Sequence, residues 1–338
     1  MTYAQEGGGS TQEPPNVLFV VDKNNGNFYA VDISNPSNLS TISTLAIGRS
    51  GLREIAIDQE KKLAFCILYY GSFPYRGRII SIDISNPSNM VIKQDLLLSA
   101  RLTGGIAVDP SRNVGFIGSS YEGLVPFTYN SDGTGMVEYL GSGGNTSGAS
   151  EVVLDTENNI AYLSSVFADN VAKIDISNIN SLNTLAYSSG TDIDNARDLV
   201  FNPITGHIYV AANNSNSVYS LNASNLTTAK VITSQTDAFA LDIDVDANLI
   251  FVSNENTGDI KSIDISNTSD PITLDTFSTG VTGIRKIVHD SVSKVLYVAS
   301  NDNDGIVSVD TSNPSVLSTL DTVLNGVASR GLALAYIP

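Results

Sequence analysis

The sequence predicts an all-β fold, a seven-bladed β-propeller of four-stranded antiparallel blades, and three observations carry that prediction. First, the phrase Val31-Asp32-Ile33-Ser34-Asn35-Pro36 returns as Ile82-Asp83-Ile84-Ser85-Asn86-Pro87, Ile174-Asp175-Ile176-Ser177-Asn178, Ile263-Asp264-Ile265-Ser266-Asn267 and Val309-Asp310-Thr311-Ser312-Asn313-Pro314. Weaker copies at Leu221-Asn222-Ala223-Ser224-Asn225 and around Thr128-Tyr129-Asn130 fill the gaps. The marker therefore falls at 32, 83, 128, 175, 222, 264 and 310, one propeller blade apart each time. Second, each unit has room for four short strands. Third, the first unit lacks an opening strand, and a spare one stands at the C-terminus.

Taken in order, residues 1–15 are polar and Gly-rich and read as a flexible leader, with no apolar segment of the kind a signal peptide needs. The propeller is expected over 16–338. Its first unit opens with a second-strand pattern, Val17 to Val21, then a third strand from Asn27 to Ile33 and a fourth near Leu39 to Leu45. In unit two, Leu52 to Asp58 alternates, Leu63 to Tyr70 is an apolar run, Arg78 to Asp83 alternates again, and Val91 to Leu96 closes the set. The first strand of each later unit ends in a turn residue: Asp58, Asp109, Asp155, Asn202, Asp244 and Asp290. A side chain of this type bonds the backbone two or three residues on, so these six are read as turn formers. The repeated phrase ends the third strand by the same means, helped by the fixed φ of proline. Finally Arg330-Gly331-Leu332-Ala333-Leu334-Ala335 matches the first-strand pattern, so the C-terminus should complete the N-terminal blade and remove the exposed sheet edges.

The phrases Val31-Asp32-Ile33-Ser34-Asn35-Pro36 and Ile82-Asp83-Ile84-Ser85-Asn86-Pro87 resemble the LVIVD-repeat proteins, and residues 16–338 resemble the broader YVTN-type seven-bladed propellers. The resemblance implies an extracytoplasmic or cell-surface protein used for binding or scaffolding. It carries over no catalytic residue, because the shared motif is a turn.

Composition narrows the function. Eighteen basic against 35 acidic residues leave a net charge of -17, which disfavours nucleic acid as a partner. No apolar run is long enough for a membrane-spanning helix. The single Cys66 lies in an apolar run and is expected in the core, without a disulfide. The two histidines, His207 and His289, are too few for a three-histidine zinc site. Six Asn-Xaa-Ser/Thr matches are about what so much Asn, Ser and Thr produces by chance. The Lys-poor, Ser/Thr/Asn-rich composition points to an extracellular, cell-surface or periplasmic location.

Function is expected where the copies differ. Aligned on the turn Asp, the first strands place Arg53, Gly104, Ser150, Arg197, Phe239, Arg285 and Arg330 in one column at the channel mouth. Four of the nine arginines fall there, an arrangement suited to a carboxylate, phosphate or sulfate. The next column reads Glu54, Gly105, Glu151, Asp198, Ala240, Lys286 and Gly331, whose acids could tie the arginines into an inter-blade ring, although neighbouring residues of a regular strand point oppositely. A long insertion after the second strand of unit two brings Tyr70, Phe73 and Tyr75, suited to a glycan or protein partner. The turns Asp22 to Gly26, Asn254 to Gly258 and Asn301 to Gly305 partly resemble calcium loops but read better as hairpin turns, so no cofactor is expected and calcium is the alternative. The expected function is a non-enzymatic binding or scaffolding propeller that takes a small anion or partner at the Arg-lined mouth. One alternative is a metal-dependent, lactonase-like hydrolase using Glu54, Glu151 and Asp198. The other is a self-assembling subunit of a surface layer or filament.

Overall fold

The structure is a computed structural model that describes residues 15–69, 76–140, 143–144, 147–188, 193–232, 236–302 and 304–338. Its strands form seven four-stranded antiparallel sheets, and each sheet is one blade. The strands nearest the axis are Leu52–Asp58, Leu102–Asp109, Ala149–Asp155, Ala196–Asn202, Ala238–Asp244, Ile284–Asp290 and Ser329–Ala335, each packed on the next around the ring. As expected, Ser329–Ala335 completes blade 1 by pairing with Val17–Asp22, with Leu18 opposite Leu334 and Val20 opposite Leu332. Asn16 secures the junction by donating from Nδ2 to the Ile337 carbonyl at 2.7 Å while its Oδ1 accepts the Ile337 amide at 2.9 Å.

The apolar runs become second strands because both of their faces are covered. Leu63–Tyr69, Val114–Ser119 and Val295–Ser300 are buried almost throughout, whereas the outermost strand Val91–Leu97 alternates between exposed and half-buried positions. Seven apolar clusters result, and each lies between two adjacent blades. Phe19, Phe28, Cys66 and Ile80 pack together between blades 1 and 2. Leu18, Val31, Tyr297 and Leu332 fill the joint between blades 7 and 1. Burying a Phe or Leu side chain in this way contributes about 1.5–3 kcal/mol, so closing the ring adds a full interface that an open array would lack. Cys66 is a core residue, its thiol pushed up to about 12 by burial.

The turns behave as their sequence requires. Asp58, Asp109 and Asp244 each accept a backbone N–H two or three residues on, at 3.0 Å, 3.1 Å and 3.0 Å. In the repeated phrase Asp32, Asp83, Asp175, Asp264 and Asp310 accept the amide of the following Ser at 2.8 to 3.0 Å. Blade 3 is the exception. Its fourth strand shrinks to Val137–Glu138, and Asp132 bonding the Thr134 amide at 3.0 Å replaces the phrase.

Candidate functional site: the channel mouth

Every inner strand shifts register near its N-terminal end, and the shift sets the site. In blade 2 Leu52 faces Leu68 while Glu54 faces Ile67, which leaves Arg53 as an extra residue. Arg197, Arg285 and Arg330 are extra in the same way, between Ala196 and Asp198, Ile284 and Lys286, and Ser329 and Gly331. Blades 3, 4 and 6 have their shifts at the same level. A β-bulge interrupts the alternation of side chains and re-aims them. The expectation that adjacent residues point oppositely is thereby corrected, since Arg53 with Glu54, Ser150 with Glu151, and Arg197 with Asp198 line one cavity. Two bulged amides are caught by hydroxyls, Glu151 N by Ser164 Oγ and Ala240 N by Ser253 Oγ, both at 2.9 Å.

The cavity holds about 190 Å³ and takes in the whole first column: Arg53, Gly104, Ser150, Arg197, Phe239, Arg285 and Arg330. Phe239 sits between two guanidiniums, with Arg197 at 5.2 Å and Arg285 at 4.7 Å from its ring centroid. Arg53 lies 5.1 Å over the Tyr69 ring. These contacts orient the cations without neutralising them. Arg285 also pairs with Glu255 from the turn after the second strand of blade 6. The Nε atoms of Arg197 and Arg285 are buried and make no hydrogen bond. Burial, and after it the like charges of neighbouring Arg53 and Arg285, push Arg330 down to about 9.

Beneath the arginines the second column converges on Lys286. Its Nζ lies 3.0 Å from Glu151 Oε2 and 3.6 Å from Glu54 Oε2. The expected pairing of these acids with the arginines is corrected accordingly. Asp198 is engaged otherwise, because its carboxylate accepts the Leu199 amide at 2.8 Å and the Leu241 amide of the next blade at 2.9 Å. Burial pushes Glu54 up to about 7, assisted by Glu151 and Asp198 and opposed by Lys286. Burial likewise pushes Asp198 up to about 6, with Lys286 opposing.

A divalent ion on Glu54, Glu151 and Asp198 does not fit these residues. The Lys286 ammonium occupies the point on which Glu54 and Glu151 converge, and each oxygen of Asp198 already accepts a backbone amide. Among the described residues no group of three or more His, Cys, Asp or Glu is arranged to hold a metal. The calcium-like turn at Asp22 directs its carboxylate inward, to the Asn24 and Asn25 amides at 2.9 and 3.2 Å. Asn254 does the same with the amides of Asn256 and Thr257 at 2.9 and 2.8 Å.

Sequence reasoning brought the arginine column together and missed the rim. Val166 and Phe167 line the cavity from the turn after the second strand of blade 4, and Phe167 is 73% exposed. Lys23, from the equivalent turn of blade 1, faces Arg330, Arg285 and Arg53, and burial with these like charges lowers its pKa. The signal that could have found them is the position shared by Lys23, Val166 and Glu255, each the first residue past a second strand, with Phe167 next to Val166. Tyr70, Phe73 and Tyr75, together with residues 1–14 of the leader and Asn303, lie outside the described residues.

The LVIVD repeat family matches residues 16–46, 77–97 and 294–324, which fall in blades 1, 2 and 7. No curated protein matches the chain by sequence. Among solved structures, the periplasmic gluconolactonase of Pseudomonas aeruginosa is similar with a TM-score of 0.77 at 14% identity, covering 95% of this chain and 99% of its own. A candidate 6-phosphogluconolactonase of Bacteroides uniformis gives 0.78 at 12% identity, with 96% and 100% covered. One from Bacteroides fragilis gives 0.73 at 13%, with 97% and 100% covered. At these identities the likeness shows the fold. The names of these propellers overturn the non-enzymatic binding or scaffolding expectation, and the hydrolytic alternative is taken up below as a proposal. The chain is a seven-bladed β-propeller that carries LVIVD repeats.

Proposed function

We propose that this propeller is a lactonase-type hydrolase whose active site is the channel mouth and whose substrate is a small sugar lactone. One observation carries the reading. Four guanidiniums share with a largely buried carboxylate, Glu54, a cavity of about 190 Å³ that suits a single sugar ring. The names of the similar propellers favour the same chemistry.

Lactone opening needs a base for water and a cation for the carbonyl oxygen. Glu54, with its pKa near 7, takes a proton from water as the oxygen attacks the lactone carbonyl carbon. The charge that develops on the carbonyl oxygen faces the guanidiniums of Arg197 and Arg285, whose bulged strands hold them in place before reaction. As the ring C–O bond breaks, the protonated Glu54 returns its proton to the leaving alkoxide. The product is a hydroxy acid whose new carboxylate remains in the cationic field until released. No step passes through a metal, because the carboxylate set that could hold one is closed by Lys286.

Release of acid from δ-gluconolactone and its 6-phosphate, followed in lightly buffered solution, tests the assignment. Opening well above the spontaneous rate, and its loss in Glu54→Gln, is expected. A wild-type rate equal to the spontaneous rate for both lactones would sink the proposal. An extracytoplasmic location remains part of it, supported by the composition and testable by fractionation of native cells.

A further inference from the structure

We propose that Lys286 is a cation built into the chain, standing where an ion shared by Glu54 and Glu151 would stand and positioning both carboxylates at the cavity floor. This deepens the hydrolase reading and rests on it for the catalytic consequence, while the geometry stands by itself. The ammonium is within ion-pair distance of two carboxylates that come from blades 2 and 4, and Lys286 comes from blade 7. Three strands far apart around the ring are thus joined through one nitrogen on the channel axis.

The backbone is cut to fit this junction. A Cβ on Gly105 would lie 2.6 Å from Glu151 Oε1, so the glycine gives Glu151 the space to lean toward Lys286. A Cβ on Gly331 would lie 2.5 Å from the Arg53 carbonyl oxygen and 2.8 Å from Glu54 Cα, so the second glycine lets the strand that carries Glu54 approach the axis. Both glycines occupy the same column as Lys286. The column holds acids where it must reach the ammonium and glycine where it must make way.

The substitution has a chemical consequence. An ammonium balances carboxylates and orients them with three donors, but it cannot bind a carbonyl oxygen as a Lewis acid. The electrophile must then be the arginine layer above. Lys286 also favours the ionised form of Glu54, which keeps the base available. It is a positioning residue, and the reaction should be indifferent to chelators.

The test is divalent-cation binding and the pH profile in wild type, Lys286→Met and Lys286→Ala. After chelator treatment and desalting, each protein is titrated calorimetrically with Mn²⁺ and with Ca²⁺. Wild type should bind no stoichiometric ion, and Lys286→Ala should gain one site that disappears on adding Glu151→Gln. Lys286→Met should move the acid limb of the activity profile to higher pH, and Lys286→Arg should move it back, which a purely structural role would not do. One equivalent of Mn²⁺ or Ca²⁺ bound by wild type and lost in Glu151→Gln would overturn the proposal, as would a folded Lys286→Ala that gains no site. If the alanine variant does not fold, the wild-type titration still decides. If wild type has no lactonase activity, the hydrolase reading fails, and the titrations judge the built-in cation separately.

Discussion

The two ends of this propeller are built from the same seven strands and obey different rules. At the end away from the cavity, blade after blade makes the same bond: the Asp that closes a strand accepts a nearby amide, and the repeat survives with little change. Here charges find matched partners, as when Lys294 Nζ meets Asp244 Oδ2 at 2.8 Å or Arg112 Nε meets Asp109 Oδ2 at 2.6 Å. At the mouth every inner strand carries a bulge, the residues differ from blade to blade, and cations crowd one another. Local bonds that each blade can satisfy alone are free to repeat. A site that needs seven different contributions cannot, and the strain of like charges marks where a ligand would help.

The contrast can be broken most severely at Glu54. Replacement by Gln should lower kcat/KM by about 10²–10⁴-fold while thermal stability holds or rises, because it removes a buried carboxylate and keeps its shape. In wild type, kcat/KM should fall about tenfold per pH unit below an acid limb near 7, since the ionised form of Glu54 is required. Arg197→Ala and Arg285→Ala should each cost about 10²–10³-fold in kcat and should weaken inhibition by gluconate, read from initial rates. Unchanged rates in both variants would return the arginines to a structural role.

Another prediction sharpens the comparison from the other end. His289 is buried near the turn at Asp290, with Nε2 2.8 Å from Thr311 Oγ1 and Nδ1 3.7 Å from Asp244 Oδ2, and burial pushes it down to about 4. Lys294 adds to the depression and Asp244 opposes it. Between pH 6.5 and 4 the unfolded chain therefore takes up a proton that the folded imidazole refuses, and stability falls as pH falls. This site alone should remove about 3 kcal/mol across that window, and the pH dependence of the urea midpoint should flatten in His289→Gln. The smallest effect belongs to the repeated phrase. Asp83→Ala should cost about 1 kcal/mol by loss of its bond to the Ser85 amide and leave kcat/KM unchanged.

The repeat made the fold readable because its turn bonds are local. Asp83 and Ser85 are two residues apart, so the sequence contains both partners. Register at the closure was also readable, since Leu332 and Leu334 repeat a pattern seen in every other inner strand. The same alignment collects Arg53, Arg197, Arg285 and Arg330 into one column by spacing alone. It could not say what they face. A bulge arises from the pairing of two strands, so nothing in the spacing of Arg53 and Glu54 announces that both look into one cavity.

The sequence by itself determined the number of blades, the place of each turn and the strand that closes the ring, because each depends on residues close in the chain or on a pattern repeated along it. Only the tertiary structure decided that Lys286 faces Glu151, 135 residues away, that Arg285 pairs with Glu255, and that Phe239 lies between two guanidiniums. Those contacts join different blades, across the axis for Lys286 and between neighbours for Arg285 and Phe239, and their partners are chosen by how seven twisted sheets meet around a common channel.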